Sequence, residues 1–547
     1  MNICALKITH DGTVAYAEDS ELVFSVELEK INNNLRFSHI NNWEDIDYIF
    51  KMFNRCKEDV DVWLIDGWAK EDLSLNYTYV NMGNNRFVVN NYENNHEEID
   101  KCEKYRNEVL GEYYSFTHVY SHLCATYCTS PFAKNGESSY ILMFDGGSKS
   151  TLYYYDAKVN KFMFIDYITK FGGDIYPGLA SRFEEFAYTR RKKGNQDTFT
   201  HHYAGTVMAY IALGNRDEEI IDYMCKIYDE MGENSTIENG WKENRFFEEA
   251  IVKRFGKIKK TEDILNSLQC FMEEKLIEGL HAILVVEKKD CNNLCFAGGS
   301  MLNIKWNTKI KDSFSNYKIF APPFINDTGA AIGQICAYRL HNGLTSLSWN
   351  MYLGPIAQDN YTLDGWKRYK CEISELAFVI ADTREPVVVI NNRSELGPRA
   401  LGNRSIIADA RSEKIKDVLN DIKQRENYRP VAPVCLEEDA YEYFVPGDKD
   451  EYMLFEHDGT EFAKRMVPAI FHIDGTARVQ TVSREQNEML YNLLCEYKKI
   501  TGISVLCNTS ANYKGKGFFP DVASAQLWGK CKYVWSNNTL YEKEMNK

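Results

Sequence analysis

Four arginines stand in NNRSELGPRALGNRSIIADAR, Asn391 to Arg411, in a chain whose formal net charge is −15. Arg393, Arg399, Arg404 and Arg411 carry guanidinium forks, which hold phosphate or carboxylate through paired hydrogen bonds. Glu395 and Asp409 are in reach to take some of them as structural bridges. Downstream, NDIKQRENYRPVAPVCL adds Lys423, Arg425 and Arg429, and FHIDGTARVQ adds His472 and Arg478. VLCNTSANYKGKG ends a buried strand with Asn508, Thr509, Ser510 and Asn512. Such neutral donors can hold phosphate oxygens or a carbonyl, and they also cap turns. One charged segment of this kind is a solvated face. Three that alternate with glycine, proline and apolar strands suit a pocket for a small anion.

A second constellation is HVYSHLCATYCTSPF. His118 and His122 are four apart, so a helix puts both imidazoles on one face, a spacing suited to a shared metal. No glutamate lies between them, which excludes the HExxH zinc-protease arrangement. Alone, the pair is equally two histidines on a helix surface or in its core. Asp145 closes the strand SYILMFD. Asp327 lies in APPFINDTGAAIGQ at a strand-to-helix turn, where a carboxylate is commonly a helix N-cap. A mixed His/carboxylate set suits Fe, Mn or Zn more than Ca or Mg, without choosing among them.

These residues need strands and turns to place them. ICALKI, TVAYAE and ELVFSV read as a β-meander whose first turn is HDG, at His10 and Asp11. WLIDG, SYILMFDGG and NLCFAGG read as buried strands ending in glycine. Gly146, Gly147, Gly298 and Gly299 leave room for backbone N–H groups to approach an anion, as in a nucleotide cleft. ILNSLQCFMEEKLIEGLHAILVV has helical apolar spacing. A boundary falls near residues 350–385. PVVVINN then starts a second α/β part with VAPVCL, YMLFE, AIFHID, ARVQTV and ISVLCN as its further β segments.

The bounds agree with a globular enzyme. The 547 residues allow two to four domains. The acidic balance argues against nucleic-acid and membrane-surface binding. The N-terminus lacks the pattern of a signal peptide, and no run is long enough to span a membrane. The 15 cysteines include no CxxC pair, which fits free thiols in a reducing cytoplasm.

Taken together, the segments resemble the O-carbamoyltransferases of nodulation and antibiotic biosynthesis. NNRSELGPRALGNRSI resembles that family's GRxExGPRALGNRSI signature. KQRENYRPVAP, HIDGTARVQ and NTSANYKGKG match its later motifs, and THDGTVAY, HVYSHLCATY, FAGGSMLN and NDTGAAIG its earlier ones, in order. The resemblance implies an α/β fold with two domains. Residues 1–355 would be an actin-like ATPase domain, similar to tRNA threonylcarbamoyl transferases, that transfers the carbamoyl group. Residues 356–547 would be a smaller domain similar to threonylcarbamoyl-AMP synthases. The implied chemistry takes carbamoyl phosphate and ATP (with Mg2+) through carbamoyl adenylate to a hydroxyl of a small-molecule or sugar acceptor.

Residue by residue, the resemblance implies phosphate contacts at Arg399, Arg404, Lys423, Arg429, His472 and Arg478, with Asn508 and Ser510 beside them. Gly146, Gly147, Gly298, Gly299 and Asn303 fall in its nucleotide segments. His118, His122 and Asp327 fall on its metal positions, with Asp145 as fourth ligand. Fe2+ is the expected ion, Mn2+ and Zn2+ the alternatives. His10 or Asp11 lies where a base for the acceptor hydroxyl would sit. A cytoplasmic protein is implied, with a homodimer as the allowed assembly. Three positions depart from the family: Thr206 stands for a lysine, Ala511 for an aromatic residue, and NRSEL for GRMEF. They point to a divergent acceptor pocket. The alternative function is a non-catalytic nucleotide-binding regulator on the same scaffold.

Overall fold

The computed structural model describes residues 1–69, 78–93, 96–186, 201–231, 237–287, 289–358 and 361–544. Among them no helix is long and apolar enough to cross a membrane. The chain packs as two units. One holds Met1–Thr129, Pro322–Phe471 and Gly475–Lys547; the other holds Ser130–Ala321 and His472–Asp474.

The first unit opens with the expected meander of β1 (Asn2–Lys7), β2 (Thr13–Glu18) and β3 (Glu21–Glu27). β4 (Val62–Ile65) returns parallel to β1, with Leu6 opposite Ile65. That register sets the next residues, Lys7 and Asp66, side by side at the strand ends. β5 (Thr78–Met82) and β6 (Asn85–Val89) form a hairpin, while β7 (Glu103–Asn107) and β8 (Gly111–Ser115) complete a sheet of order β3-β2-β1-β4-β8-β7. Both faces of β1 are covered, which is why ICAL reads as an unbroken apolar run. Helix His118–Cys128 follows β8 at once, with the Thr117 hydroxyl accepting from the Tyr120 N–H as its cap. Helix Ala330–His341 packs against it. Gly333 makes that approach possible, because a Cβ there would sit 2.0 Å from the Ser121 carbonyl oxygen.

In the second unit the sheet order is β11-β10-β9-β12-β13, from β9 (Ser139–Met143), β10 (Lys149–Asp156), β11 (Lys161–Gly172), β12 (Asn293–Ala297) and β13 (Lys318–Phe320). β9 and β12 run parallel as neighbours, so the FDGG and AGG turns leave the sheet side by side. The long helical pattern forms helix Thr261–Glu287 against β11.

The rest of the first unit carries an eight-stranded sheet of order β14-β24-β23-β15-β16-β22-β17-β21. Its strands are β14 (Trp366–Lys370), β15 (Val387–Ile390), β16 (Arg404–Asp409), β17 (Ala432–Leu436), β21 (Gln480–Val482), β22 (Val505–Ser510), β23 (Tyr533–Ser536) and β24 (Thr539–Lys543); short β18 (Phe444–Val445), β19 (His457–Gly459) and β20 (Thr476–Ala477) form a separate three-stranded sheet. β15 and β16 are antiparallel, and residues 391–403 join them, so the arginine-bearing segment is a sheet connection. Helices Ile373–Thr383 and Glu488–Thr501 pack together over a core that includes Val388, Ile406, Leu493 and Val505.

Two expected β segments are turns. In YMLFE, Asp450 draws the backbone round: its carboxylate accepts from the N–H groups of Leu454 and Phe455, at 3.0 and 2.9 Å, and Met453 takes φ +58°. In AIFHID, Pro468 opens a 3-10 turn, Pro468–Ile470, and has no N–H to give to a ladder.

Candidate active site

The metal-type cluster forms at the ends of β1 and β4. Helix His118–Cys128 is buried along its whole length, so its polar side chains must find partners inside the protein. His118 Nδ1 donates to Asp66 Oδ2 at 2.6 Å. Ser121 Oγ donates to Asp66 Oδ1 at 2.8 Å, and Gln334 Nε2 joins Ser121 Oγ at 2.7 Å. With Nδ1 committed to Asp66, His118 turns Nε2 toward His122 Nε2, 3.2 Å away. Asp327 Oδ1 lies 3.5 Å from His118 Nε2 and 3.4 Å from His122 Nε2.

These three separations test whether the set fits a metal. A tetrahedral site with bonds of about 2.0–2.1 Å has ligand edges of about 3.3 Å, so the triangle fits. The carboxylate behind His118 is the usual outer partner of a ligating histidine. Asp327 does not act as a helix cap: the turn Asp327–Gly329 has no side-chain cap bond, and the carboxylate faces the imidazoles and Lys7 instead. Asp145 belongs to the second unit, where its Oδ1 accepts from Gly299 N–H at 2.9 Å.

Electrostatics agree. Burial alone would drive the His118 proton off, but Asp66 and Asp327 outweigh it and raise its pKa to about 9. Burial opposes the charge on Asp327 too, yet Lys7 and His118 hold it well below the usual carboxylate range. Asp66 is lowered in the same way by His118 and Lys7 against its burial. Lys7 is buried, with Nζ 3.2 Å from Asp327 Oδ2, 3.5 Å from Asp66 Oδ2 and 3.6 Å from the centre of the Trp68 ring. His10 stands beside the cluster. Its Nδ1 pairs with Asp11 Oδ2 at 2.8 Å, and its Nε2 faces Asp327 Oδ2 at 3.7 Å. Asp11 takes a left-handed φ of +57° in the HDG turn, a conformation that non-glycine residues rarely adopt.

The cationic cluster lies in the second part of the same unit. Arg399 is pushed well below the usual guanidinium range by burial and by Arg478, Arg36 and Arg429, against the pull of Asp450. Burial and the neighbouring Arg429 lower Arg478 to about 10, and burial with Arg429 and Arg478 lowers Arg425 to about 9. Arg429 is lowered as well, by burial first. A guanidinium keeps its proton under ordinary conditions, so these shifts record burial first and mutual repulsion second, both of which a bound anion would offset. Two carboxylates stand among them: Asp450, which already receives two backbone N–H groups, and Glu426, 3.9 Å from Arg429. Arg478 Nε is buried with no hydrogen-bond partner among the described residues.

Other members of the expected set are spent on structure. Arg404 donates to the carbonyls of Asn391 (2.7 Å), Asn403 (2.8 Å), Asn392 (3.1 Å) and Pro355 (3.3 Å), so its guanidinium braces the loop in place of the expected phosphate contact. Arg393 holds the carbonyls of Gly354 and Val23, at 3.2 and 2.9 Å. Arg411 pairs with Asp409 at 2.6 Å, as the sequence suggested. Glu395 takes no arginine side chain; its Oε1 accepts the N–H groups of Leu401, Asn403 and Arg404. Asn508 Nδ2 is bound to Ala400 O and Gln480 Oε1, at 3.0 and 2.9 Å. Lys423 Nζ reaches Ser510 O at 2.7 Å and Asn512 O at 3.0 Å, which puts it and Ser510 at one place on the end of β22. In the second unit, Asn303 caps helix Ile304–Ser313, and His472 Nδ1 lies 3.4 Å from Asp474 Oδ1. The turn with Gly146 bonds Asp174 N–H through the Gly146 carbonyl at 3.2 Å.

Asp66, Lys7, Gln334 and Arg36 were absent from the candidate set. A lysine inside the apolar run ICALKI, and an Asp-Gly at the end of WLI, were the available signals for the first two. Gln334 and Arg36 carry none.

The described residues thus hold a buried His/His/Asp triangle with the spacing of metal ligands and, apart from it, a group of buried arginines. The family description Carbamoyltransferase N-terminus matches residues 2–336, and Carbamoyltransferase C-terminus matches residues 379–540. The chain belongs to the carbamoyltransferase family of enzymes. It is 38% identical to nodulation protein U of Sinorhizobium fredii over 99% of both chains. To nodulation protein U of Rhizobium tropici it is 37% identical, covering 100% of this chain and 96% of that one. It is also 29% identical to the 3'-hydroxymethylcephem-O-carbamoyltransferase of Streptomyces clavuligerus, over 99% of both chains.

Proposed function

We propose that this protein is an ATP-dependent O-carbamoyltransferase working through carbamoyl adenylate. The observation that carries this is the gathering of the buried Arg399, Arg425, Arg429 and Arg478, with Arg36 beside them, where Asp450 offsets Arg399 and Arg478 and Glu426 offsets Arg425 and Arg429. Fixed guanidinium groups stabilise phosphate charge without reorganising during the reaction. In this reading, residues 356–547 first hydrolyse carbamoyl phosphate to carbamate and phosphate. Carbamate oxygen then attacks the α-phosphorus of ATP, and pyrophosphate leaves. Arg399, Arg429 and Arg478 hold the phosphates, while Lys423 and Ser510 brace the end of β22. Residues 1–355 carry out the transfer. An acceptor hydroxyl loses its proton, attacks the carbamoyl carbon, and AMP leaves with the C–O electron pair.

His10 is the group proposed to take that proton at Nε2, with Asp11 orienting the ring through Nδ1. His118, His122 and Asp327 would hold a divalent cation. Such an ion polarises a carbonyl and neutralises phosphate charge. The acceptor in this reading is a hydroxyl-bearing small molecule or sugar; the relative from Streptomyces clavuligerus is named for a hydroxymethylcephem.

Two half-reactions test the reading. Carbamoyl phosphate-dependent exchange of pyrophosphate into ATP reports the adenylate, and AMP release with an added alcohol reports transfer. Arg399→Ala should abolish the exchange. His118→Ala should keep it and lose transfer. Exchange at the parent rate in Arg399→Ala, or transfer at the parent rate in His118→Ala, would overturn the respective assignment.

A further inference from the structure

The loop that carries Arg399 is held from outside by a buried ion pair of the first sheet. Glu27 ends β3, and Lys30 lies one turn later; both are buried. Lys30 Nζ donates to Glu27 Oε1, to Glu395 O and to Gly397 O, each at 2.7 Å. An ammonium has three N–H donors, so all three are committed, and the Phe518 ring closes the site from 4.9 Å. Glu27 Oε1 also accepts the Gly397 N–H at 2.8 Å. The pair thus grips Gly397 through both its N–H and its carbonyl. Gly397 has φ +82°, and a Cβ on it would lie 2.0 Å from the Pro323 carbonyl oxygen. Pro323 belongs to the APPFIND segment that ends in Asp327. The far half of the loop is braced by its own groups, Glu395 and Arg404. Arg399 stands between the two braced halves.

We propose that Lys30, together with Glu27, is a positioning residue for the donor site: it fixes residues 395–397 and so sets where Arg399 meets the donor phosphate. This rests on the reading that Arg399 holds that phosphate. Formation of the adenylate then depends on a residue more than three hundred positions away in sequence. The gripped glycine also lies close against Pro323, four residues before Asp327.

The test uses the full-length protein. Lys30→Met removes the ammonium but leaves Glu27 buried and unpaired, which can prevent folding. Glu27→Gln/Lys30→Met removes both charges and keeps the volume, and Glu27→Gln alone keeps the lysine and an acceptor oxygen. The readouts are pyrophosphate exchange over a range of carbamoyl phosphate concentrations, thermal unfolding and metal content. Glu27→Gln/Lys30→Met should unfold cooperatively, with the metal content of the parent. Its KM for carbamoyl phosphate should rise at least tenfold, while Glu27→Gln stays within about threefold. A folded double variant with KM within twofold of the parent would overturn the proposal. So would a uniform loss of kcat at unchanged KM. Absence of exchange in the parent would instead refute the adenylate reading itself.

Discussion

Gly333→Ala probes the helix contact that sets the metal-type triangle. Helix Ala330–His341 starts three residues after Asp327, and Gly333 faces Ser121 on the helix that bears both histidines. The added Cβ would stand 2.0 Å from Ser121 O. An ordinary C···O contact is about 3.3 Å, so the helices must part by about 1.3 Å or bend. Overpacking of this kind costs about 1–3 kcal/mol, while the better helix propensity of alanine returns about 1 kcal/mol. The net loss of stability is therefore about 0–2 kcal/mol, a small effect. The effect on the site is larger in kind. Asp327 Oδ1 now lies 3.4 Å from His122 Nε2. A retreat of about 1 Å exceeds the roughly 0.2 Å tolerance of a metal site. Urea unfolding and competition with a chromophoric chelator for Zn2+ or Fe2+ measure the two quantities separately. The expected result is a folded protein whose metal affinity falls tenfold or more. Parent-like affinity would show that the spacing of these helices does not place Asp327.

Other expectations follow from the same geometry. Asp66→Asn removes the carboxylate behind His118 and should weaken metal affinity by about 10–100-fold, the range for such outer partners, in the same chelator assay. Arg404→Met strips donors from four loop carbonyls and should destabilise the protein, at about 1–3 kcal/mol for each carbonyl left buried and unsatisfied; Arg478→Met relieves repulsion, so chemical denaturation should show equal or greater stability while pyrophosphate exchange is lost. Asp174, raised to about 7 by burial and by Glu248, supplies a pH test. Its folded pKa lies above the unfolded value, so the fold binds the extra proton and stability falls as pH rises from about 4 to about 7. Asp174→Asn should flatten that part of the profile, by at most about 4 kcal/mol across the window; an unchanged slope in denaturation titrations would refute the burial argument.

How much of this was legible depended on the range of the signal. The opening meander, the parallel strands ending in glycine and the long helix were written in local apolar patterns. The facing of His118 and His122 followed from helical spacing alone. Asp327 lies more than two hundred residues from them, and its place became plain only when Gly333 allowed two helices to touch. Arginine spacing did not reveal that Arg404 turns to loop carbonyls or that Glu395 takes backbone N–H groups. Whether a guanidinium turns to a carbonyl or to a cavity is decided by the fold of its loop. Arg36 and Lys30 were invisible for the same reason: besides their near neighbours Glu29 and Glu27, they face Arg399 and the carbonyls of Glu395 and Gly397, hundreds of residues downstream. YMLFE misled because an aspartate just before it outcompetes the strand for backbone N–H groups.

The central claim is that the buried guanidinium groups hold a phosphorylated donor on its way to an adenylate. Phosphorus NMR of the full-length protein with ATP, carbamoyl phosphate and an acceptor alcohol tests it most directly. The account predicts AMP, pyrophosphate and phosphate in equal amounts, none of them formed without carbamoyl phosphate. Conversion of ATP to ADP, or AMP formed at the same rate when carbamoyl phosphate is left out, would contradict it.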